Sequence, residues 1–191
     1  MKPYYFYMFV LAFLNITMLA TPYIMASDAP TGELLHSTYA LTCHQILARS
    51  YCLYPDGSIA DCPHLYSDES TIETEQGTAY KFPVCARDLP LYLAAFFGGI
   101  AVYFTKWRDS KKPPNPLYFI VALIPIALDG GTQFIGLRES TNELRALTGI
   151  IAGFVFSFYF IPMLNALLIK EDSGEPKEKN DGNKEKKEKK K

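Results

Sequence analysis

Two short stretches bring together residues that could do chemistry. Cys43-His44-Gln45 is followed by Arg49-Ser50, and Phe82-Pro83-Val84-Cys85-Ala86-Arg87-Asp88 comes later. Cys43, His44, Cys85 and Asp88 are side-chain types that zinc accepts at tetrahedral positions, so a metal centre is one chemistry open to them. A disulfide between Cys43 and Cys85, with His44 merely polar, is a second, and two free thiols are a third. Cys62-Pro63-His64 is a weaker metal pattern; His36 and His64 read as surface residues. Cys52 and Cys62 flank Pro55-Asp56-Gly57-Ser58, a turn signal, and are expected to pair with each other.

A second constellation lies further along the chain. Asp129, Thr132, Gln133 and Gly136 recur at helical spacing and share a face. An acid within an apolar helix is costly and points into a bundle or a wet cavity, which makes Asp129 a functional candidate. The alternative is that Asp129 pairs with Arg138 or Arg145 to fasten two helices. Pro125, one turn earlier, is a site for a kink. Ser140 and Glu143 match a capping box and need no other role. Asn142, Arg145 and Gly149 lie on one face that runs on to Gly153, and the two glycines form a small-xxx-small packing surface.

Arg49, Arg87, Arg138 and Arg145 around Asp129, Gln133 and Asn142 point to an anionic ligand. Guanidinium groups bind phosphate or carboxylate bidentately. In this reading Asp129 or His44 is a general base, and the arginines with Gln133 and Asn142 hold the ligand.

The elements that position these groups follow from the solvent. The chain has 191 residues, a net charge of -1 and 14% aromatic side chains. Lys170 to Lys191 holds nine Lys and seven acids, and the remainder is strongly apolar. That excludes a disordered chain and argues against an ordinary soluble domain. Glu interleaved through the Lys-rich run excludes a basic nucleic-acid binder.

A bilayer core needs about 20 mostly apolar residues per helix. Four stretches qualify: Tyr4 to Met25, Leu89 to Thr105, Leu117 to Leu137, and Leu147 to Ile169. The predicted fold is all-α, a four-transmembrane-helix bundle with an extracytoplasmic cysteine-containing segment. Its divisions are a first helix over 1–26, an extracytoplasmic amphipathic helix plus loop or hairpin over 27–88, three more spans over 89–169, and a disordered Lys/Glu-rich tail over 170–191. Residues 1–26 also read as a signal peptide, with Ile24-Met25-Ala26 as a loose cleavage site. The longer apolar run and the Tyr4, Tyr5 and Tyr7 belt favour an uncleaved helix.

Basic residues set the expected direction. Lys106, Arg108, Lys111, Lys112 and the tail belong on the cytoplasmic side, with both termini there and the protein multi-pass in the cell membrane. Ser27 to Asp88, with nine acids against Arg49, Lys81 and Arg87, then faces outward. Thr31 to Ala48 reads as an amphipathic helix and Ser50 to Tyr80 as a hairpin or long loop.

Taken together, Cys-His-Gln, Arg-Ser, Pro-Val-Cys-Ala-Arg, Asp-Gly-x-x-Gln and Arg-x-Ser-x-Asn-x-x-Arg resemble a family of prokaryotic membrane proteins known as domain of unknown function 2085. The resemblance runs from Leu34 to Leu168. In that family's pattern the second cluster reads Cys-x-x-Cys or similar; here Asp88 holds the later position, which argues against a Cys-x-x-Cys redox couple. The resemblance implies where a site lies and carries no activity with it.

The expected function is therefore a multi-pass membrane protein whose outward polar pocket binds or processes an anionic, lipid-linked ligand, with zinc as the metal to consider. Two alternatives stand beside it. One is a membrane thiol-redox protein using Cys43 and Cys85. The other is a non-enzymatic assembly factor whose Lys/Glu tail docks a cytoplasmic partner or anionic lipid.

Overall fold

The computed structural model describes residues 2–169; the Lys/Glu-rich tail lies outside the described residues. The chain order is α1 (Pro3–Ser27), α2 (Ala29–Thr38), β1 (Tyr51–Leu53), β2 (Ile59–Asp61), β3 (Thr71–Thr74), β4 (Gly77–Lys81), α3 (Asp88–Tyr103), α4 (Pro116–Phe134) and α5 (Asn142–Leu168). Single 3-10 turns lie at Tyr39–Leu41, Leu47–Arg49 and Lys106–Arg108.

Helices α1, α3, α4 and α5 cover the four apolar stretches. Three of them, α1, α4 and α5, are long and apolar enough to cross a membrane. Helix α3 is apolar but has 16 residues, about 24 Å of helix against a hydrocarbon core of about 30 Å.

The all-α expectation is corrected by a four-stranded antiparallel sheet in the order β2-β1-β4-β3. Two hairpins, β1–β2 and β3–β4, pair through their inner strands. The first turns at Pro55–Ser58, where Gly57 takes a positive φ of 82° and the Asp56 carboxylate accepts from the Ser58 amide. Strands of three to five residues are too short to show a clear alternation.

The amphipathic helix read over Thr31 to Ala48 is also corrected. Helix α2 ends at Thr38, and the chain leaves helical geometry after one 3-10 turn. Gln45 sits at φ 51°, a left-handed conformation that a continuing α-helix does not contain. The buried stripe of α2 is Gly32 and His36, while Leu34 and Leu41 are exposed. Gly32 lies so close to the Met25 backbone that a Cβ there would collide with it, which turns His36 inward. The surface placement of His36 is therefore overturned, whereas His64 is exposed.

Helices α3 and α5 run side by side in parallel. A Cβ on Gly149 would strike the Arg87 carbonyl, and one on Gly153 the Leu91 carbonyl. Both glycines are buried, so the small-residue surface is a packing seam. Helix α1 closes the core with Tyr4, Tyr7 and Leu11 against Ala95, Val102 and Ile161. A second cluster of Met18, Leu53, Phe82, Val84 and Leu89 fastens the sheet to α1 and α3.

Helix α4 is different. Among its nineteen residues the buried one is Asp129, and its apolar side chains Leu117, Ile120, Val121, Ile124 and Leu128 are exposed. Polar and aromatic contacts dock it: Tyr159 donates to the Asn115 carbonyl at 2.7 Å, and the Phe119 and Tyr159 rings lie 4.8 Å apart. At the start of α5 the cap is Thr141, whose hydroxyl accepts from the Leu144 amide, rather than Ser140 of the expected capping box. The cap falls one residue later because Thr141 is the residue with extended backbone angles next to the first helical turn.

Candidate functional site

The sheet brings the two chemistry-bearing stretches together. Strands β1 and β4 pair with Cys52 opposite Lys81. The ladder continues beyond them: the Phe82 amide donates to the Tyr51 carbonyl, and the Ala86 amide to the Arg49 carbonyl at 2.7 Å. Arg49 thus lies across from the Cys85–Arg87 segment. A clip built on Gln45 holds the preceding loop. The Gln45 amide nitrogen donates to the carbonyls of His36 and Pro83 at 2.7 and 2.8 Å. Lys81, fully buried, donates to the carbonyls of Gln45 and Asp68 at 2.6 and 2.8 Å.

From there the chain enters α3. The amides of Asp88 and Leu89 donate to the Cys85 carbonyl, and the glycine seam on α5 fixes the depth of this first turn. Helix α4 contributes Asp129 and Gln133, and α5 contributes Asn142 and Arg145.

A cavity of about 420 Å³ opens where these elements meet. Cys43, His44, Arg49, Cys85, Arg87, Asp88, Gln133 and Arg145 line it, together with Thr42, Gln45, Ile46 and Phe134. Cys43 and Cys85 are free thiols. Their Sγ atoms and a carboxylate oxygen of Asp88 all lie within 4.8 Å of one another. Cys85 donates to Asp88 at 3.1 Å. His44 stands on the cavity wall but outside this cluster, so the four-ligand set of Cys43, His44, Cys85 and Asp88 is not assembled. His44 is exposed and precedes the left-handed Gln45, where the chain turns.

The basic side is organised in two layers. Asp129, 2% exposed, accepts from Arg87 at 2.6 Å and from Arg138 at 2.8 Å. Arg138 also donates to the Thr132 hydroxyl. Asp129 therefore fastens α3 to α4 and lies behind the cavity wall. Arg145 is not its partner, contrary to one of the two pairings expected. Arg145 donates to the Asn142 carboxamide oxygen at 2.7 Å. With its amide oriented by its donors, Gln133 accepts from Arg145 at 2.9 Å and from Arg49 at 3.0 and 3.1 Å. Asn142 passes the network on to Asp61 at 3.0 Å, and Arg49 lies 3.8 Å from Glu139, which also accepts from Tyr66.

Of the residues singled out in the sequence, Asp129, Arg138 and Asn142 thus support the cavity from outside. Cys52 and Cys62 are joined in a disulfide, buried with Leu47 and Ala79 away from it. Sequence reasoning missed Gln45 as a clip and Lys81 as its donor. The signal available was a lone Lys inside the apolar run Ala79-Tyr80-Lys81-Phe82-Pro83-Val84.

The surroundings tune several of these groups. The neighbouring Cys85 thiol pulls the Cys43 thiol down to about 7. The same contact, with burial, pushes Cys85 up. Burial lowers Lys81 to about 8. Burial also lowers His36 to about 4, with a further push from the Lys81 charge.

Apolar helices of membrane length with their lipid-compatible faces outward define a membrane protein. The chain belongs to the family described as "Predicted membrane protein (DUF2085)", whose model matches residues 76–159, a shorter span than Leu34 to Leu168. An uncharacterized protein of Methanocaldococcus jannaschii is 39% identical over 136 residues, covering 71% of this chain and 72% of that protein. An uncharacterized protein of Methanothermobacter thermautotrophicus is 38% identical over 72 residues, which are 38% of this chain and 63% of that protein. No solved structure matches the chain.

Proposed function

We propose that this is a multi-pass cell-membrane protein, crossing four times with both termini cytoplasmic, whose outward cavity binds a phosphate-class anion carried by a lipid. The parallel packing of α3 on α5 supports four crossings. If α5 spans, α3 lies at the same depth as its first turns, and α4 returns the chain between them. The basic loop Lys106–Lys112 lies at the end of the helices opposite the cavity, which supports the direction by the rule that basic loops stay inside.

The observation that carries the ligand is Arg145. It is 3% exposed, and its hydrogen-bond acceptors are the neutral amides of Asn142 and Gln133. Among the described residues no carboxylate lies within ion-pair distance of it. A buried charge without a counter-ion is costly, and an anion in the cavity would remove that cost. Arg49 and Arg87 line the same space.

The test is thermal unfolding of the detergent-solubilised protein with inorganic phosphate in one arm and a short-chain phosphatidic acid in the other. A ligand at one hundred times its Kd stabilises by about 2.7 kcal/mol. The lipid arm should raise the Tm more than the phosphate arm, and Arg145→Gln should remove both rises. Equal rises in the wild type would point to a free anion. No rise in either arm, or rises that survive Arg145→Gln, would remove the reading.

The side-by-side free thiols of Cys43 and Cys85 favour a second reading, thiol redox. Their oxidation forms one S–S bond and delivers two electrons and two protons to an acceptor of the quinone class. Thiol trapping with and without added quinone separates the two readings, because anion binding leaves both thiols alkylatable.

A further inference from the structure

We propose that Cys43, Cys85 and Asp88 form a three-ligand site for a thiophilic divalent cation of the zinc type, with its fourth coordination position open to the arginine-lined cavity.

Three observations carry this. The first is ligand type: two thiols and one carboxylate match zinc, whereas calcium and magnesium take oxygen ligands. The second is convergence: among the described residues this is the group of three or more His, Cys, Asp or Glu side chains whose donor atoms gather in one place. Tetrahedral bonds of about 2.0–2.3 Å put ligand atoms about 3.3–3.8 Å apart. Cys85 Sγ and the Asp88 carboxylate are already 3.1 Å apart, and the whole set lies within 4.8 Å, so rotamer adjustments complete the geometry. The third is support. The loop carrying Cys43 is pinned by the Gln45 clip, and Cys85 and Asp88 stand three residues apart at the entry to α3, seated on the glycine seam.

The charges balance. Binding M²⁺ displaces the protons of both thiols and leaves a centre of two thiolates, one carboxylate and one cation, with net charge -1. Arg49, Arg87 and Arg145 line the same cavity and offset it. His44 is left outside the ligand set, so a water or an oxygen of an incoming anion takes the fourth position. That arrangement is the open type found where zinc acts as a Lewis acid rather than as a structural staple.

The site does not depend on the anion reading, because the cation alone is the probe. The experiment uses the full chain in detergent, reduced and then freed of reductant, with the two thiols of Cys43 and Cys85 confirmed by thiol counting. Co²⁺ should bind at one per chain with a thiolate-to-cobalt charge-transfer band, and Zn²⁺ should displace it. Cys43→Ser and Cys85→Ser should each lose the site. Asp88→Asn, which removes an anionic ligand oxygen, should weaken it, and His44→Ala should leave it in place. A readout without any variant guards against misfolding: Zn²⁺ should protect Cys43 and Cys85 from alkylation, located by peptide mass spectrometry. Absence of the charge-transfer band in thiol-counted wild type, unprotected thiols in Zn²⁺, or loss of binding in His44→Ala equal to that in Cys85→Ser would each overturn the proposal. Failure of phosphate or phosphatidic acid to bind would leave it standing.

Discussion

Arg87 and Asp129 meet at 2.6 Å although 42 positions separate them. Arg87 closes the segment that leads into α3, and Asp129 is the buried side chain of α4. Arg138 completes the arrangement from the other carboxylate oxygen. A helix with so little buried apolar surface depends on such polar clasps for its position. Asp129→Asn keeps the shape and removes the charge, leaving two guanidinium groups without their carboxylate. The expected loss is about 3 kcal/mol, at the low end for buried pairs because Arg138 is partly exposed. Thermal unfolding in detergent reads it. Arg87→Gln on top of Asp129→Asn should cost less than the sum of the two single changes, since both remove one interaction.

The glycines of the helix interiors divide by what surrounds them. Gly153→Ala puts a methyl into the Leu91 carbonyl and must push α3 off α5, for a loss of about 1–3 kcal/mol. Gly131→Ala in α4 meets nothing within 4 Å. There the helix preference for alanine should add about 0.5–1 kcal/mol. A comparison of the two midpoints under one condition checks the contrast; equal losses would mean that the seam is not close-packed.

His36 gives the protein an acid limb. Its folded value of about 4 lies below its ordinary 6.5. Between those values the unfolded chain takes up the proton first, so the stability held above pH 6.5 falls away as the pH drops toward 4. The size is about 2–3 kcal/mol for this one group. Its Nε2 is buried without a hydrogen-bond partner. His36→Leu should flatten stability over that pH window and raise it at pH 5, read from denaturation midpoints across a pH series.

The Cys52–Cys62 bond closes a loop with a sequence separation of 10. Replacing both cysteines with serine should cost about 2–3 kcal/mol on the chain-entropy account. Alkylation without reductant should label Cys43 and Cys85 and spare this pair. Labelling of all four in the native protein would contradict the assignment.

The helices were legible because a lipid-facing helix must be written as a long apolar run, and Leu117–Leu137 and Leu147–Ile169 are such runs. The Cys52–Cys62 pair was legible because its turn lies between them. The sheet was not, because the pairing that matters, β1 with β4, joins strands far apart in sequence and too short to declare themselves. Helical spacing put Asn142, Arg145 and Gly149 on one face, and that face is buried, but it extended α2 through Gln45, where a left-handed residue ends the pattern. Residue type nominated Cys43, Cys85 and the arginines, yet type cannot rank depth. That Asp129 stands behind the wall and Arg145 within it depends on which helix lies against which.

The disulfide hairpin also bears on the order in which the protein is completed. Cys52 and Cys62 emerge close together, so their ring can seal before β4 is free to pair with β1. Arg87, by contrast, waits for Asp129, and Asp129 for Arg138. A chain emerging from its N-terminus first thus finishes its covalent staple early and its charged vestibule last, once α5 has arrived to seat α3. Stalled or truncated products would carry a sealed hairpin above an unfinished floor.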